Sequence, residues 1–251
     1  MTDLIEPLTA VRESHAALAR VISAVEQASP EDLAAPSTLP GWTRGHVLAH
    51  IDGIGRALAR QLDYAARGQT VDVYDGGPPG RDSAIEAGAT RTQDEHLQAL
   101  TALQDQHRDA WPEEDSLVWF TPVRYRDGIV VDVALAWWRE ISIHQIDLDL
   151  GIDAAEVWSQ ALCEHLLDFL SVRLPSGPLI ELDAFEPGVR YVVAADSQTP
   201  PTTPVTVTGP LTSIAGWLAG REVHPLPIAT SDEDAVDLPE LGPWPSRPTP
   251  V

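Results

Sequence analysis

A change of hydrophobic period at Leu174-Pro175-Ser176-Gly177-Pro178 divides this 251-residue chain into two kinds of sequence. Before it, apolar residues recur every three or four positions, as a buried helical face requires. After it they come in short runs bounded by turn residues, as strands require. A single sheet or a single bundle therefore cannot accommodate the whole chain. The pattern predicts a mainly α fold, a four-helix bundle over residues 1–174 followed by a small α+β domain over 175–251 with a Pro-rich tail.

The helical part reads in segments. Leu4, Leu8, Val11, Leu18, Val21, Ile22 and Val25 mark a first helix. Ser29-Pro30-Glu31-Asp32 has the form of a cap with Pro at the first helical position. Thr43 is the expected N-cap of a helix running to Arg67, where Gly68 can end it. Gly76-Gly77-Pro78-Pro79-Gly80 reads as a loop. A third long helix is expected from Asp82 or Ser83 to Trp111. Residues 115–131, with Asp127-Gly128 as a turn, are open between a hairpin and a loop. A fourth helix should run from Asp132 to about Leu150, and a further one from Asp153 through Leu170. Three strand-like runs follow, Leu179–Phe185, Tyr191–Ala195 and Val205–Thr208, then a short helix over Ile214–Gly220. From Ser231 the chain reads as extended surface segment.

Composition excludes whole classes of chemistry. All sixteen basic residues are Arg, so Schiff-base, pyridoxal-phosphate and P-loop mechanisms lack their lysine. With Cys163 alone there is no disulfide framework and no multi-cysteine metal site, and Cys163 among leucines reads as buried filler. The formal charge of −22 argues against nucleic acid and anionic membrane as partners. No apolar run approaches the ~18 residues of a membrane span, and MTDLIEPLTA has no signal-peptide pattern. The expectation is a cytoplasmic protein. An anionic substrate would need local Arg or a metal ion, and any metal must be held by His and carboxylate.

Trp137-Trp138-Arg139-Glu140-Ile141-Ser142-Ile143-His144 carries the clearest chemical signal. Glu140 and His144 are one helical turn apart, on a face shared with Trp137, Ile141 and Leu148. Burying a carboxylate and an imidazole there is costly unless something pairs them. A divalent metal would do so; so would a Glu–His hydrogen bond within a bundle, or solvation. A third donor would have to come from another helix. His50 shares its side with Val47 and Ile54, whereas His46 lies in the first turn. By itself His50 reads as a core or surface histidine rather than as a ligand. His96 and His107, among Gln and Asp neighbours, read as solvated, and Asp232-Glu233-Asp234 as a solvated charge cluster.

Leu39-Pro40-Gly41-Trp42-Thr43-Arg44-Gly45-His46-Val47-Leu48-Ala49-His50-Ile51 and Arg139-Glu140-Ile141-Ser142-Ile143-His144-Gln145-Ile146-Asp147-Leu148 resemble the two metal segments of the mycothiol-dependent maleylpyruvate isomerase family. The resemblance extends over nearly the whole chain. It implies a DinB-like metal-binding bundle with a C-terminal α+β domain, zinc ligands at His50, Glu140 and His144, and mycothiol as thiol cosubstrate. It also implies a small anionic substrate and is compatible with a monomer. Arg221, in Gly216-Trp217-Leu218-Ala219-Gly220-Arg221, matches the family's catalytic Arg, and Arg81 a substrate-side Arg. The implied reaction is isomerisation of maleylpyruvate to fumarylpyruvate: a thiolate adds to the cis double bond, the resulting single bond rotates, and the thiolate leaves. The chain departs from the family pattern at Ile54, where many relatives carry Asn, which leaves the substrate open. Two rival readings are a mycothiol S-transferase acting on another electrophile and a metal- or small-molecule-binding bundle without turnover.

Overall fold

The computed structural model describes residues 5–176, 179–185, 190–193, 204–232 and 234–245. Leu4, Gly177, Pro178, residues 194–195 and Glu233, which entered the sequence reading, lie outside them. The chain forms two compact units, Met1–Ile152 and Asp153–Val251. The observed division falls ahead of the expected one at 174/175, because the last long helix packs with the second unit.

The first unit contains helices α1 (Ile5–Gln27), α2 (Pro30–Ala34), α3 (Arg44–Ala66), α4 (Gly77–Gly88), α5 (Gln93–Ala110) and α6 (Val130–Asp147). The four long ones form a bundle in which α1 and α3 each pack against both α5 and α6. Leu18, Leu48, Ile51, Leu58, Leu103, Trp137 and Ile141 fill its core and are essentially fully buried. Each such aliphatic side chain contributes about 1.5–3 kcal/mol relative to exposure.

Capping side chains set the helix starts that position the site. Ser29 and Asp32 form a reciprocal box at α2. At α3 the Thr43 hydroxyl accepts from the His46 amide, while His46 Nδ1 accepts from the Thr43 amide at 3.2 Å. Asp132 accepts from the Ile129 amide at 2.8 Å and so fixes the start of α6 two residues before the expected Asp132.

Two expectations are corrected here, and one left open is settled. The Gly76–Gly80 run is not a loop throughout: α4 begins at Gly77, with Pro in its first turn, where the missing amide would have had no partner. The single helix expected from Asp82 or Ser83 to Trp111 is two helices. Thr92 starts α5 with its own capping box, the Glu95 carboxylate accepting from the Thr92 amide at 2.7 Å. Residues 115–131 hold two short 3₁₀ turns and one isolated bridge, Pro122 to Ile129, rather than a hairpin.

His96 and His107 are also not solvated: both are buried. His107 Nε2 donates to the Gly55 carbonyl at 2.9 Å and its ring stacks on Trp137, 4.7 Å between centroids. Burial pushes both imidazoles down to about 4.

The second unit has α7 (Ala154–Val157), α8 (Gln160–Leu170), α9 (Leu211–Leu218) and a five-stranded sheet. Its strands are β1 (Ile180–Ala184), β2 (Arg190–Val193), β3 (Val205–Gly209), β4 (Ile228–Ser231) and β5 (Asp234–Val236), in the order β2-β1-β3-β4-β5. Among the described strands only β1 and β3 run parallel, with Leu182 beside Val207. The expected helix from Asp153 through Leu170 is interrupted at Trp158, and Ser159 caps its second part. The run from Ser231 is not simply extended chain: Ser231 ends β4, and exposed β5 pairs with β4 as the sheet edge. Cys163 is buried on α8, as expected.

Two predictions follow from this packing. A Cβ at Gly45 would lie 2.2 Å from the Ala89 carbonyl oxygen, whereas one at Gly53 would meet nothing within 4 Å. Gly45→Ala should therefore cost about 1–3 kcal/mol in urea unfolding, and Gly53→Ala should be neutral or stabilising by up to about 1 kcal/mol. His107, neutral in the fold down to about 4 but protonated near 6.5 when unfolded, makes folding weaker as pH falls from 6.5 towards 4. His107→Phe should flatten the loss of stability between those pH values, and an unchanged slope would refute the assignment.

Candidate metal centre

Helices α3 and α6 pack side by side and bring three donors to one point. His50 Nε2 lies 3.0 Å from His144 Nε2 and 3.2 Å from Glu140 Oε2, and His144 Nε2 is 3.4 Å from the same oxygen. One donor comes from α3 and two come from successive turns of α6. Among the described residues this is the one group of three or more His, Cys, Asp or Glu side chains with donor atoms so placed. A tetrahedral ion with bonds of about 2.0–2.1 Å has ligand–ligand edges of about 3.3–3.4 Å. The observed triangle matches one face of such a tetrahedron, and two imidazoles with one carboxylate suit zinc, iron or nickel. The residues fit a divalent ion, and a three-donor face keeps further positions open.

Each of the three donors is shifted by its neighbours. Burial pushes His50 down, and neighbouring His144 and Arg81 add to the effect against the opposing pull of Glu140. Its imidazole is neutral, as a metal ligand must be. Burial alone would raise Glu140, but hydrogen bonds from both imidazoles outweigh it and hold the carboxyl well below the usual carboxylate range. For His144, burial works downward and is outweighed by its bonds to Asp147 and Glu140, leaving it raised.

Asp147 is the residue sequence reading missed. Its Oδ2 accepts from His144 Nδ1 at 2.8 Å, and its side chain is fully buried. With a metal in place, this bond would keep the His144 proton on Nδ1 and leave the Nε2 lone pair to the ion. Thr38 secures Asp147 in turn, its amide donating to the Asp147 carbonyl at 3.1 Å and its hydroxyl to Oδ1 at 3.3 Å. The spacing of His144 and Asp147, three apart on one helix, was a signal available in the sequence.

Beside His50 opens a cavity of about 220 Å³, walled by Ala49, Ile54, Tyr74, Arg81 and Ile85. Arg81 Nη2 lies 3.5 Å from His50 Nδ1, and the same guanidinium bonds Asp82 at 2.8 Å and the Tyr74 phenol. Burial lifts the Tyr74 phenol to about 12, so it is a neutral hydrogen-bonding group at any physiological pH. The structure thus brings His50, Glu140, His144 and Arg81 together. Arg221 belongs to the second unit, just past α9, where its Nη1 donates to the Ala219 carbonyl at 2.8 Å.

Residues 11–149 match the family model described as the mycothiol maleylpyruvate isomerase N-terminal domain. The chain belongs to that family. A crystal structure of the mycothiol-dependent maleylpyruvate isomerase is similar with a TM-score of 0.74 and 24% identity, over 98% of this chain and 97% of that one. A structure of a histidine-to-alanine mutant of that enzyme is similar with the same TM-score and coverage at 23% identity. No curated protein matches. At this identity the structural likeness speaks for the fold: a mainly helical chain with a small sheet, as the sequence led one to expect.

Asp147 gives the site its test. If it orients a ligand, Asp147→Asn should weaken zinc binding by roughly 10–100-fold in a chelator-competition titration while leaving the helical circular dichroism intact. Unaltered zinc affinity would remove Asp147 from the centre.

Proposed function

We propose that this protein is a metal- and thiol-dependent cis–trans isomerase, converting maleylpyruvate or a similar cis-enoyl acid into its trans isomer. Membership of the family and the convergence of His50, Glu140 and His144 support the reading, and the convergence is the observation that carries it. The thiol is mycothiol, which the family's own description names. His50, Glu140 and His144 would hold the metal, a divalent ion such as zinc. When bound, the ion would lower the pKa of the thiol and make its sulfur nucleophilic near neutral pH.

The chain's own groups have separate tasks. The His144–Asp147 bond keeps one ligand in the correct tautomer. Arg81, in the wall of the cavity beside His50, binds the carboxylate of the substrate. Its present partner Asp82 is an exposed carboxylate, a surface pair that a buried substrate anion can displace. Arg221, which matches the position of the family's catalytic Arg, is proposed as the residue that stabilises the enolate charge developing when the thiolate adds. Sulfur adds to one alkene carbon and the π pair becomes the enolate. Rotation about the new single bond follows, and collapse of the enolate expels the thiolate as the trans alkene forms. No general base in the protein is required, because the thiolate both attacks and leaves.

Purified, zinc-loaded protein should convert a cis-enoyl acid to its trans isomer only when mycothiol is present. Arg221→Ala should retain its metal and lose at least ~100-fold in rate, the scale of one lost charge-stabilising donor. A stable thioether product would instead identify an S-transferase, and no reaction with thiol would identify a binding module.

A further inference from the structure

The cavity beside the triad has a chemical character that narrows its ligand. One of its ends is polar, formed by His50, Arg81 and Tyr74. Ala49, Ile54, Ala84 and Ile85 give the lining its aliphatic part. A second cation, Arg56, also borders it, but its guanidinium is committed. Its Nε donates to Asp52 at 2.6 Å and its Nη2 to the Ala99 carbonyl at 3.2 Å. Asp52 is itself buried and bonded by Arg91 at 2.9 Å, so this pair belongs to the bundle. Arg81 is different, because its ion-pair partner Asp82 is exposed. The carboxylate of Asp75, also in the lining, is paired with Arg60 at 2.7 Å.

We infer that the cavity takes a monoanionic cis-enoyl acid, with one carboxylate on Arg81 and a short alkyl or acyl end against Ile54 and Ile85, in preference to a dicarboxylate. The inference rests on the isomerase reading of this site. In a dianion such as maleylpyruvate, a second carboxylate set against Ile54 and Ile85 would lose its water against aliphatic carbon, and Arg56 on the same wall is held by Asp52. A methyl in the same place gains by leaving water. The cavity, about 220 Å³, lies below the ~300–1,000 Å³ of pockets for drug-sized ligands, which suits a short-chain acid. Ile54 is the specificity-determining residue, since it sits one helical turn beyond His50 and faces the same space.

Isocrotonate and maleate form a matched pair of probes, differing only in a methyl against a carboxylate. Their binding to the zinc-loaded protein can be measured by ligand-observed NMR titration. Isocrotonate should bind at least ~10-fold more tightly than maleate, because an unpaired carboxylate is not desolvated without loss. Ile54→Asn should bring the two affinities to within about threefold, and Arg81→Gln should weaken isocrotonate by at least ~10-fold. Equal or tighter maleate binding in the wild type, or an unchanged ratio in Ile54→Asn, overturns the inference. Turnover is measured separately, with cis-acetylacrylate and maleylpyruvate in the presence of mycothiol, and cis-acetylacrylate should be the better substrate. If the binding preference is found but neither acid isomerises, the ligand class stands and the isomerase reading falls.

Discussion

The packing of α3 against α6 is the constraint on which the site depends. No local segment can form the donor triangle: α6 contributes Glu140 and His144 one turn apart, and the third corner exists only because α3 sets His50 against them. That approach is close because the helices are small where they must be. A Cβ at Gly55 would meet Leu103 at 2.7 Å and the Trp137 ring at 3.1 Å. The Trp137 ring also stacks on buried His107, so the aromatic core of the bundle and the metal face are built on the same turns of α6. Donor separations near 3 Å are sensitive to helix sliding, which ties the chemistry of the site to the integrity of the core.

Much of this was legible in the sequence, for identifiable reasons. Thr43 marked the start of α3 and Gly68 its end, so the register of His50 was fixed by residues whose capping roles are local. The spacing of Glu140 and His144 placed both on one helical face without any tertiary information. Where reading failed, the deciding interaction was not local or two signals conflicted. Gly76–Gly80 carries the residues of a loop, yet Pro in a first helical turn sacrifices no hydrogen bond, and α4 begins there. His96 and His107 sit among polar neighbours, and their burial is decided by α1, α3 and α6 packing around them. Asp147 was in plain view, but its role depends on Thr38, more than a hundred residues earlier, holding it in place.

The acid balance of the chain gives the few cations near the triad their meaning. With a net charge of −22, an anion approaches against an unfavourable field. Arg56 and Arg91 are consumed by buried Asp52, whereas Arg81 pairs at the surface and stands beside His50. The absence of lysine and the burial of Cys163 leave the chain without an evident nucleophile of its own.

Elemental analysis of the purified protein and of His50→Ala tests the central claim most directly. The account predicts close to one divalent ion per wild-type chain and none in the variant, with the same helical content in both. A wild-type chain that holds no stoichiometric metal after expression in zinc-supplemented medium, or a variant that holds as much as the wild type, would contradict it.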